Sequence, residues 1–256
     1  MIDPRAVIDP TAEIAEGVSI GPGSIIGAGV SIGKNTWIGP QVVIQGPTVI
    51  GENNKIYQFS SIGNDPQDLT YKEESTQLVI GDNNIFREYC MISRGTIKGG
   101  GITRIGNNNF LMCYSHIGHD CIVNNHIIIT SYAALSGHVT VDDYAIIGGY
   151  SAIHQFCHIG SYSFVARATY VAKDVVPYTM IAGYTAAACG INTVGLKRRG
   201  FSSAAIDHLR RAYKVIFRKG FTQQQALIEL EAMQADCPEI IPMIESMNRA
   251  TRGIVR

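Results

Sequence analysis

Isoleucine returns every six residues over the first quarter of the chain, at Ile8, Ile14, Ile20, Ile26, Ile32, Ile38, Ile44, Ile50, Ile56 and Ile62. A six-residue period is neither the repeat of an α-helix nor the simple alternation of a strand. It arises when short straight segments, joined by corners, each bring one residue back to an equivalent inward position. Three such segments close a turn of about 18 residues, and parallel pairing of successive turns piles the apolar positions into one column per face. The pattern therefore predicts an all-β fold, a parallel β-helix of hexapeptide repeats with a solid interior of Ile, Val and Leu.

The phase survives one interruption and slips once. After Ile62 comes a polar stretch, Asn64 to Thr76, and the period resumes in phase at Ile80, Phe86 and Ile92, so residues near 64–76 read as an external loop. A glycine-rich segment at 95–101 then shifts the phase by one residue, which predicts a second loop or bulge before Ile105, Leu111, Ile117, Val123, Ile129, Leu135 and their successors to Val171. Glycine follows many inward residues (Gly21, Gly27, Gly33, Gly39, Gly51, Gly63, Gly81, Gly106, Gly118, Gly148, Gly160), as expected if those corners need positive φ. Asn53, Asn54, Asn83, Asn84, Asn107, Asn108 and Asn109 are expected to serve the same corners.

Past Pro177 the hexads stop. Ser202 can cap a helix with Ile206, Leu209, Tyr213, Ile216 and Phe217 on one face, ending at Gly220. Thr222 with Gln225 makes a capping-box pattern for a second helix, and Pro238 suits the first turn of a third with Ile241, Ile244 and Met247 as its apolar stripe. The expected organisation is a β-helix over 1–190 and a C-terminal helical domain over 191–256.

Composition narrows the answer little. The 21 basic residues balance 21 acidic ones, without a basic stripe of the kind nucleic acid requires. No signal peptide or apolar run of membrane-spanning length is seen, so a cytoplasmic protein with no transmembrane segment is expected. The six cysteines include no CxxC pair and read as free thiols of a reducing compartment. Charge does concentrate in Lys197, Arg198, Arg199, Arg210, Arg211, Lys214, Arg218 and Lys219, either a solvated helix face or a docking surface for an acidic macromolecule or phosphates.

The densest polar segment is His116-Ile117-Gly118-His119-Asp120. Ile117 points inward, so both histidines flank it on the outer side or at a corner. One turn beyond His119 is Gly137 and another is Gln155, while one turn beyond Asp120 is His138. The expected column of His119, Gly137 and Gln155, with Asp120 and His138 alongside, contains what acyl transfer needs. Imidazole can take a proton from a hydroxyl, a carboxylate can fix its tautomer, and a glycine N–H can approach an oxyanion. Decoration of a β-helix surface is the plain alternative, and a zinc site drawing on His116, His119, His138, His154 and His158 across a subunit seam is the sharper one. Side chains three apart on an extended segment point to different faces, which disfavours metal, and none is expected.

These residues carry a resemblance over essentially the full length. Tyr57-Gln58-Phe59, Gln67-Asp68-Leu69, Arg94-Gly95-Thr96 with Gly99-Gly100-Gly101, His116 to Asp120, Gly137-His138-Val139, Ile147-Gly148-Gly149, His154-Gln155-Phe156-Cys157, Gly195-Leu196-Lys197-Arg198-Arg199-Gly200-Phe201 and Thr251-Arg252-Gly253 occur in this order. The chain resembles the UDP-N-acetylglucosamine O-acyltransferases of lipid A biosynthesis. The resemblance implies a left-handed β-helix, a homotrimer, and active sites between subunits. It implies that a 3-hydroxyacyl chain passes from acyl carrier protein to the 3-hydroxyl of UDP-N-acetylglucosamine with no cofactor beyond the carrier's phosphopantetheine. His119 would be the general base, Asp120 its support and Gly137 N–H the oxyanion donor. Asp68, His116, His138, His154, Gln155, Asn192, Arg198 and Arg199 match substrate-binding positions, and Phe164 and Arg167 fall at the acyl-chain ruler.

Three positions depart from the family pattern. Thr70 replaces the usual lysine after Gln-Asp-Leu, with Lys72 two residues on; Val194 replaces an acidic residue; and Arg167 replaces a small or apolar one, so that it either shortens the acyl pocket or turns outward. An acyltransferase for another nucleotide sugar, a binding protein that retains only the scaffold, and a metal enzyme of the γ carbonic anhydrase kind are the remaining alternatives.

Overall fold

The computed structural model describes all 256 residues. Strands of mostly two or three residues form three sheets of nine, eight and ten strands, each running the length of a triangular prism. The first begins at Val7–Ile8, the second at Glu13–Ile14 and the third at Ser19–Ile20, and every third strand returns to the same sheet. Pairing is parallel with an offset of one 18-residue turn, as in Val7 with Ile25 and His116 with Ala134. The isoleucines of the six-residue repeat from Ile20 to Ile62 are at most 2% exposed, and the column continues through Leu111, Ile117, Leu135 and Ile153 to Val171. Burying one such side chain contributes about 1.5–3 kcal/mol, so repetition along the columns supplies the bulk of the stability.

Both external loops exist and leave the prism at the same corner. One joins the first-sheet strand Ser61–Asn64 to the second-sheet strand Gln77–Ile80; the other joins Met91–Ser93 to Ile102–Ile105. Pairing offsets widen there to 30 residues (Ser61 with Met91) and 25 (Gln77 with Ile102). The second loop contains a short 3₁₀ turn, Ile97–Gly99, capped by the Thr96 side chain.

The corners correct one expectation. Gly63 has φ +74°, but the other glycines that directly follow inward residues, Gly118 and Gly148 among them, do not have positive φ. A Cβ on Gly118 would stand 2.8 Å from Gly137 N, and one on Gly148 would stand 2.6 Å from Ala166 C, so these glycines are required by close approach of the next turn. Positive φ falls instead three residues after most inward positions, at Gly17, Gly23, Gly29, Asn35, Gln41, Asn53, Asn83 and Asn108, and later at Tyr114, Asp120, His126, Tyr132 and His138. Asn54, Asn84 and Asn109 are buried, and each side-chain carbonyl accepts from a backbone N–H in the next turn at 2.8–2.9 Å. These three asparagines form an internal ladder, while Asn53, Asn83 and Asn108 make the corners.

The prism closes with an antiparallel pair, Thr179–Ala182 and Ala187–Ile191, which the hexads do not predict. Four helices follow: α1 (Thr193–Arg198), α2 (Ser203–Phe217), α3 (Gln223–Met233) and α4 (Ile241–Arg249). Ser202 caps α2 as expected, Gly220 follows it with φ +70°, and the Thr222–Gln225 capping box opens α3. Pro238 begins a 3₁₀ turn that leads into α4; there Ile240, Met243, Ile244 and Met247 are buried while Ile241 is 40% exposed, because the turn rotates the apolar stripe by one residue. The helices share one continuous core with the prism. The chain end returns to it, with Ile254 bridging to Asp174.

Candidate active site

His119 and Asp120 occupy the corner between the first and second sheets, the corner from which both loops depart. Asp120 has φ +60°, and His138 and Phe156, one and two turns on, have +63° and +65°. This repeated left-handed conformation stacks the His138 ring on Phe156 at 4.3 Å and sets it edge-on to His119 at 5.1 Å.

The buried Asp120 carboxylate is well supplied with donors. Thr96 donates its N–H to Oδ1 at 2.7 Å and its hydroxyl to Oδ2 at 2.6 Å, and His119 Nδ1 lies 2.7 Å from Oδ2. Asp120 N–H in turn donates to Thr103 Oγ1 at 2.8 Å. With its oxygens held by donors, the carboxylate accepts the Nδ1 proton of His119 and leaves the Nε2 lone pair for chemistry. His138 Nε2 stands 3.6 Å from the same carboxylate oxygen.

Gly137 closes against the imidazole. A Cβ there would lie 2.6 Å from His119 Cε1 and 2.7 Å from Nε2, so any side chain would displace the ring. Gly137 N–H donates to no protein acceptor. The same second corner position is taken by Pro10, Pro22, Pro40 and Pro177 elsewhere, residues that lack this donor and fit where the ladder does not use it. The fold thus leaves an unspent N–H beside a base, an arrangement able to stabilise an oxyanion.

Other expected residues gather at this corner. His116 lies outward on the first sheet, and burial followed by the nearby His119 lowers its pKa. Burial also lowers that of His138, against an opposing pull from Asp120. His154 Nδ1 is 3.4 Å from Tyr170 Oη, and the Gln155 carbonyl accepts from Arg252 Nη1 at 2.9 Å. Asp68 reaches the corner from the first loop, its carboxylate accepting the Thr70 N–H at 2.8 Å and hydroxyl at 2.9 Å. These two bonds hold its pKa low, with His119 and Lys98 close enough to add to the effect.

Asn192, Arg198 and Phe164 lie elsewhere. With Ile146, Met180 and Val194 they line a groove of about 500 Å³ on the third sheet, under the start of α1. Asn192 caps α1 by accepting from Gly195 N–H at 3.0 Å and donates to Tyr162 O at 2.9 Å. Arg199 lies 4.5 Å over the Tyr144 ring, and Arg167 is exposed and outside the groove. Because His119 stands at the corner between the first and second sheets, the third-sheet groove is on the opposite face of the same prism. One chain therefore carries both sets of residues without bringing them together.

A full-length relative from Saccharophagus degradans, an acyl-[acyl-carrier-protein]–UDP-N-acetylglucosamine O-acyltransferase, is 51% identical over 255 residues, covering 100% of this chain and 99% of its own. The enzyme of that name from Pseudomonas aeruginosa is 52% identical over 256 residues, with the same coverage. This chain belongs to the UDP-N-acetylglucosamine O-acyltransferase family. The family profile for domain 2 of these acyltransferases matches residues 174–255, and the bacterial transferase hexapeptide profile matches 29–64. The Moraxella catarrhalis O-acyltransferase structure superposes with a TM-score of 0.98 at 45% identity, covering 100% of this chain and 99% of that one. An Arabidopsis UDP-N-acetylglucosamine acyltransferase gives 0.83 at 34% identity, with both chains fully covered. The prism is thus the left-handed parallel β-helix of an acyltransferase.

Against the O-acyltransferase pattern, several residues at the site escaped the hexad arithmetic. Thr96 and Thr103 hold Asp120, Phe156 supports His138, and Arg252 reaches Gln155. Thr96, Phe156 and Arg252 fall in motifs that do carry the resemblance, but nothing local in them signals these contacts. His119, Asp120 and His138 place one donor atom each within 4.8 Å of one another. The oxygen that His119 and His138 share already accepts from Thr96, so a cation would have to displace that hydrogen-bond network. His158 is apart from it, 2.7 Å from Asp142.

Proposed function

We propose that this chain transfers a 3-hydroxyacyl group from acyl carrier protein to the 3-hydroxyl of UDP-N-acetylglucosamine, with His119 as general base. The observation that carries the reading is the His119 imidazole, bonded through Nδ1 to Asp120 and packed through Nε2 against a glycine whose N–H is unspent. In this mechanism Nε2 removes the sugar hydroxyl proton as the oxygen attacks the thioester carbon. The Gly137 N–H stabilises the oxyanion, and Asp120 stabilises the imidazolium. Collapse of the tetrahedral intermediate breaks the C–S bond, and Nε2–H returns the proton to the departing pantetheine sulfur. No further cofactor enters this scheme.

Separation of the base corner from the groove of Phe164, Asn192 and Arg198 supports a homotrimer in which one subunit's corner faces another's groove. His116, His138, His154, Gln155 and Asp68 would then contact substrate from the base side, and Arg198 and Arg199 from the neighbour. The basic residues of α1 and α2 suit an acidic carrier protein. No helix is long and apolar enough to cross a membrane, and the nucleotide-sugar and carrier substrates support a cytoplasmic location.

Incubation with UDP-N-acetylglucosamine and a panel of 3-hydroxyacyl carrier proteins, with His119→Ala alongside, tests the reading by mass spectrometry. A UDP-3-O-acyl product that the variant fails to make is expected. No product with any donor would overturn the acceptor assignment and favour another nucleotide sugar. Val194, 61% exposed at the groove where the family carries an acid, makes that the second reading.

A further inference from the structure

The two external loops are tied to each other as well as to the base. Thr96 and Gly99 press the second loop onto Asp120: Thr96 donates twice to the carboxylate, and a Cβ on Gly99 would fall inside it. Between them, at the tip of the 3₁₀ turn, stands Lys98. Its Nζ donates to Thr70 Oγ1 at 3.0 Å, while the Thr70 hydroxyl proton and N–H go to Asp68. A continuous chain, Lys98 to Thr70 to Asp68, thus crosses the mouth of the site from one loop to the other. Lys72, the nearer lysine in sequence, instead engages Glu74 through its backbone N–H.

Lys98 is exposed and its ammonium makes no ion pair. An ammonium has three N–H donors, and Thr70 accepts one. The other two donors carry the charge on a turn that Asp120 anchors through Thr96, beside the first loop's Thr70 and Asp68. Such a charge, strongly hydrated and compact, suits a phosphate oxygen. Both substrates of the proposed reaction carry phosphate, a diphosphate in the nucleotide sugar and a phosphodiester in the pantetheine arm.

We propose that Lys98 binds a substrate phosphate at the mouth of the His119 site and so helps to determine which acceptor or donor is used. The proposal rests on the acyl-transfer reading above. In the full-length protein, Lys98→Met is expected to raise one substrate's KM about 10- to 100-fold, the range for loss of a hydrogen bond to a charged group. Its kcat should change less than about threefold. A rise in KM for UDP-N-acetylglucosamine assigns the diphosphate; a rise for the acyl carrier assigns the phosphodiester. Lys98→Gln retains a donor for Thr70 but no charge, so its failure to restore KM supports phosphate binding, and full restoration overturns it in favour of a loop latch. Exchanging the neighbours in a Thr70→Lys, Lys98→Thr double variant returns an ammonium to the same place and should recover most of the lost affinity.

Calorimetric titration of wild type and Lys98→Met with UDP, and separately with phosphopantetheine, reads the same contact without turnover. Wild type lacking turnover would defeat the functional reading alone. Weaker binding of either phosphate ligand to Lys98→Met would still support the phosphate contact, and equal binding of both would overturn it.

Discussion

Two corners of the prism share one backbone and differ in what they do. Between the first and second sheets, left-handed positions hold Asp120, His138 and Phe156; between the third and first they hold Phe59, Tyr89, Tyr114, Tyr132 and Tyr150. The second set stacks ring on ring at 4.6–5.0 Å, each ring at least 42% exposed. A left-handed conformation costs a non-glycine residue about 1–2 kcal/mol, and an aromatic pair returns about 0.5–1.5 kcal/mol. Along the tyrosine stripe, stacking offsets the strain and the corner serves stability. At the other corner the same geometry brings a carboxylate and two imidazoles together, and the second loop covers the carboxylate through Thr96. The scaffold supplies the conformation, and the side chains and loops decide whether it becomes a site.

The largest effect should come from His119→Ala. Turnover should fall about 10²- to 10⁴-fold with Tm held within a few degrees, because the ring contributes chemistry rather than core. Loss of Tm with retained turnover would make this corner structural like its counterpart. Gly137→Ala should come next, with kcat lower by about 10²-fold or more as the added methyl displaces His119 Nε2. A near-normal kcat would show that the glycine spacing is not tied to the base.

Tyr114→Val reverses the profile. It removes stacking partners at 4.6 and 4.7 Å and puts a β-branched residue at φ +61°, so urea unfolding should show a loss of about 2–3 kcal/mol with kcat unchanged.

The smallest effect concerns pH. Burial lowers the pKa of His116 and His138 below 6.5, so the folded protein resists protonation that the unfolded chain accepts. Between 6.5 and the lowered folded values the unfolded chain binds more protons, and stability must fall as pH falls through that window. His138→Phe, which keeps a ring against Phe156, should flatten the slope in melts from pH 7.5 to 5; an unaltered slope would assign it elsewhere.

Much of the base corner is legible in the sequence. Eighteen-residue arithmetic put Gly137 beside His119 and His138 beside Asp120, and His138 N–H does donate to His119 O at 2.9 Å. A parallel β-helix permits this because register between turns is set by the period itself. The same arithmetic misread the glycines after inward residues. Composition marks a place where a side chain does not fit, but does not say whether φ or the neighbouring turn forbids it.

By itself the sequence determined the prism, its columns, the positions of its two loops and the capped starts of α2 and α3, because each rests on contacts within a few residues or one constant period. Tertiary structure decided the rest. Both loops leave by one corner, the second folds onto Asp120 and ties to the first, Lys98 rather than Lys72 donates to Thr70, and the groove of Asn192 and Arg198 lies on the face opposite His119. Loop return and helix docking depend on contacts between residues tens of positions apart, which a six-residue repeat does not encode.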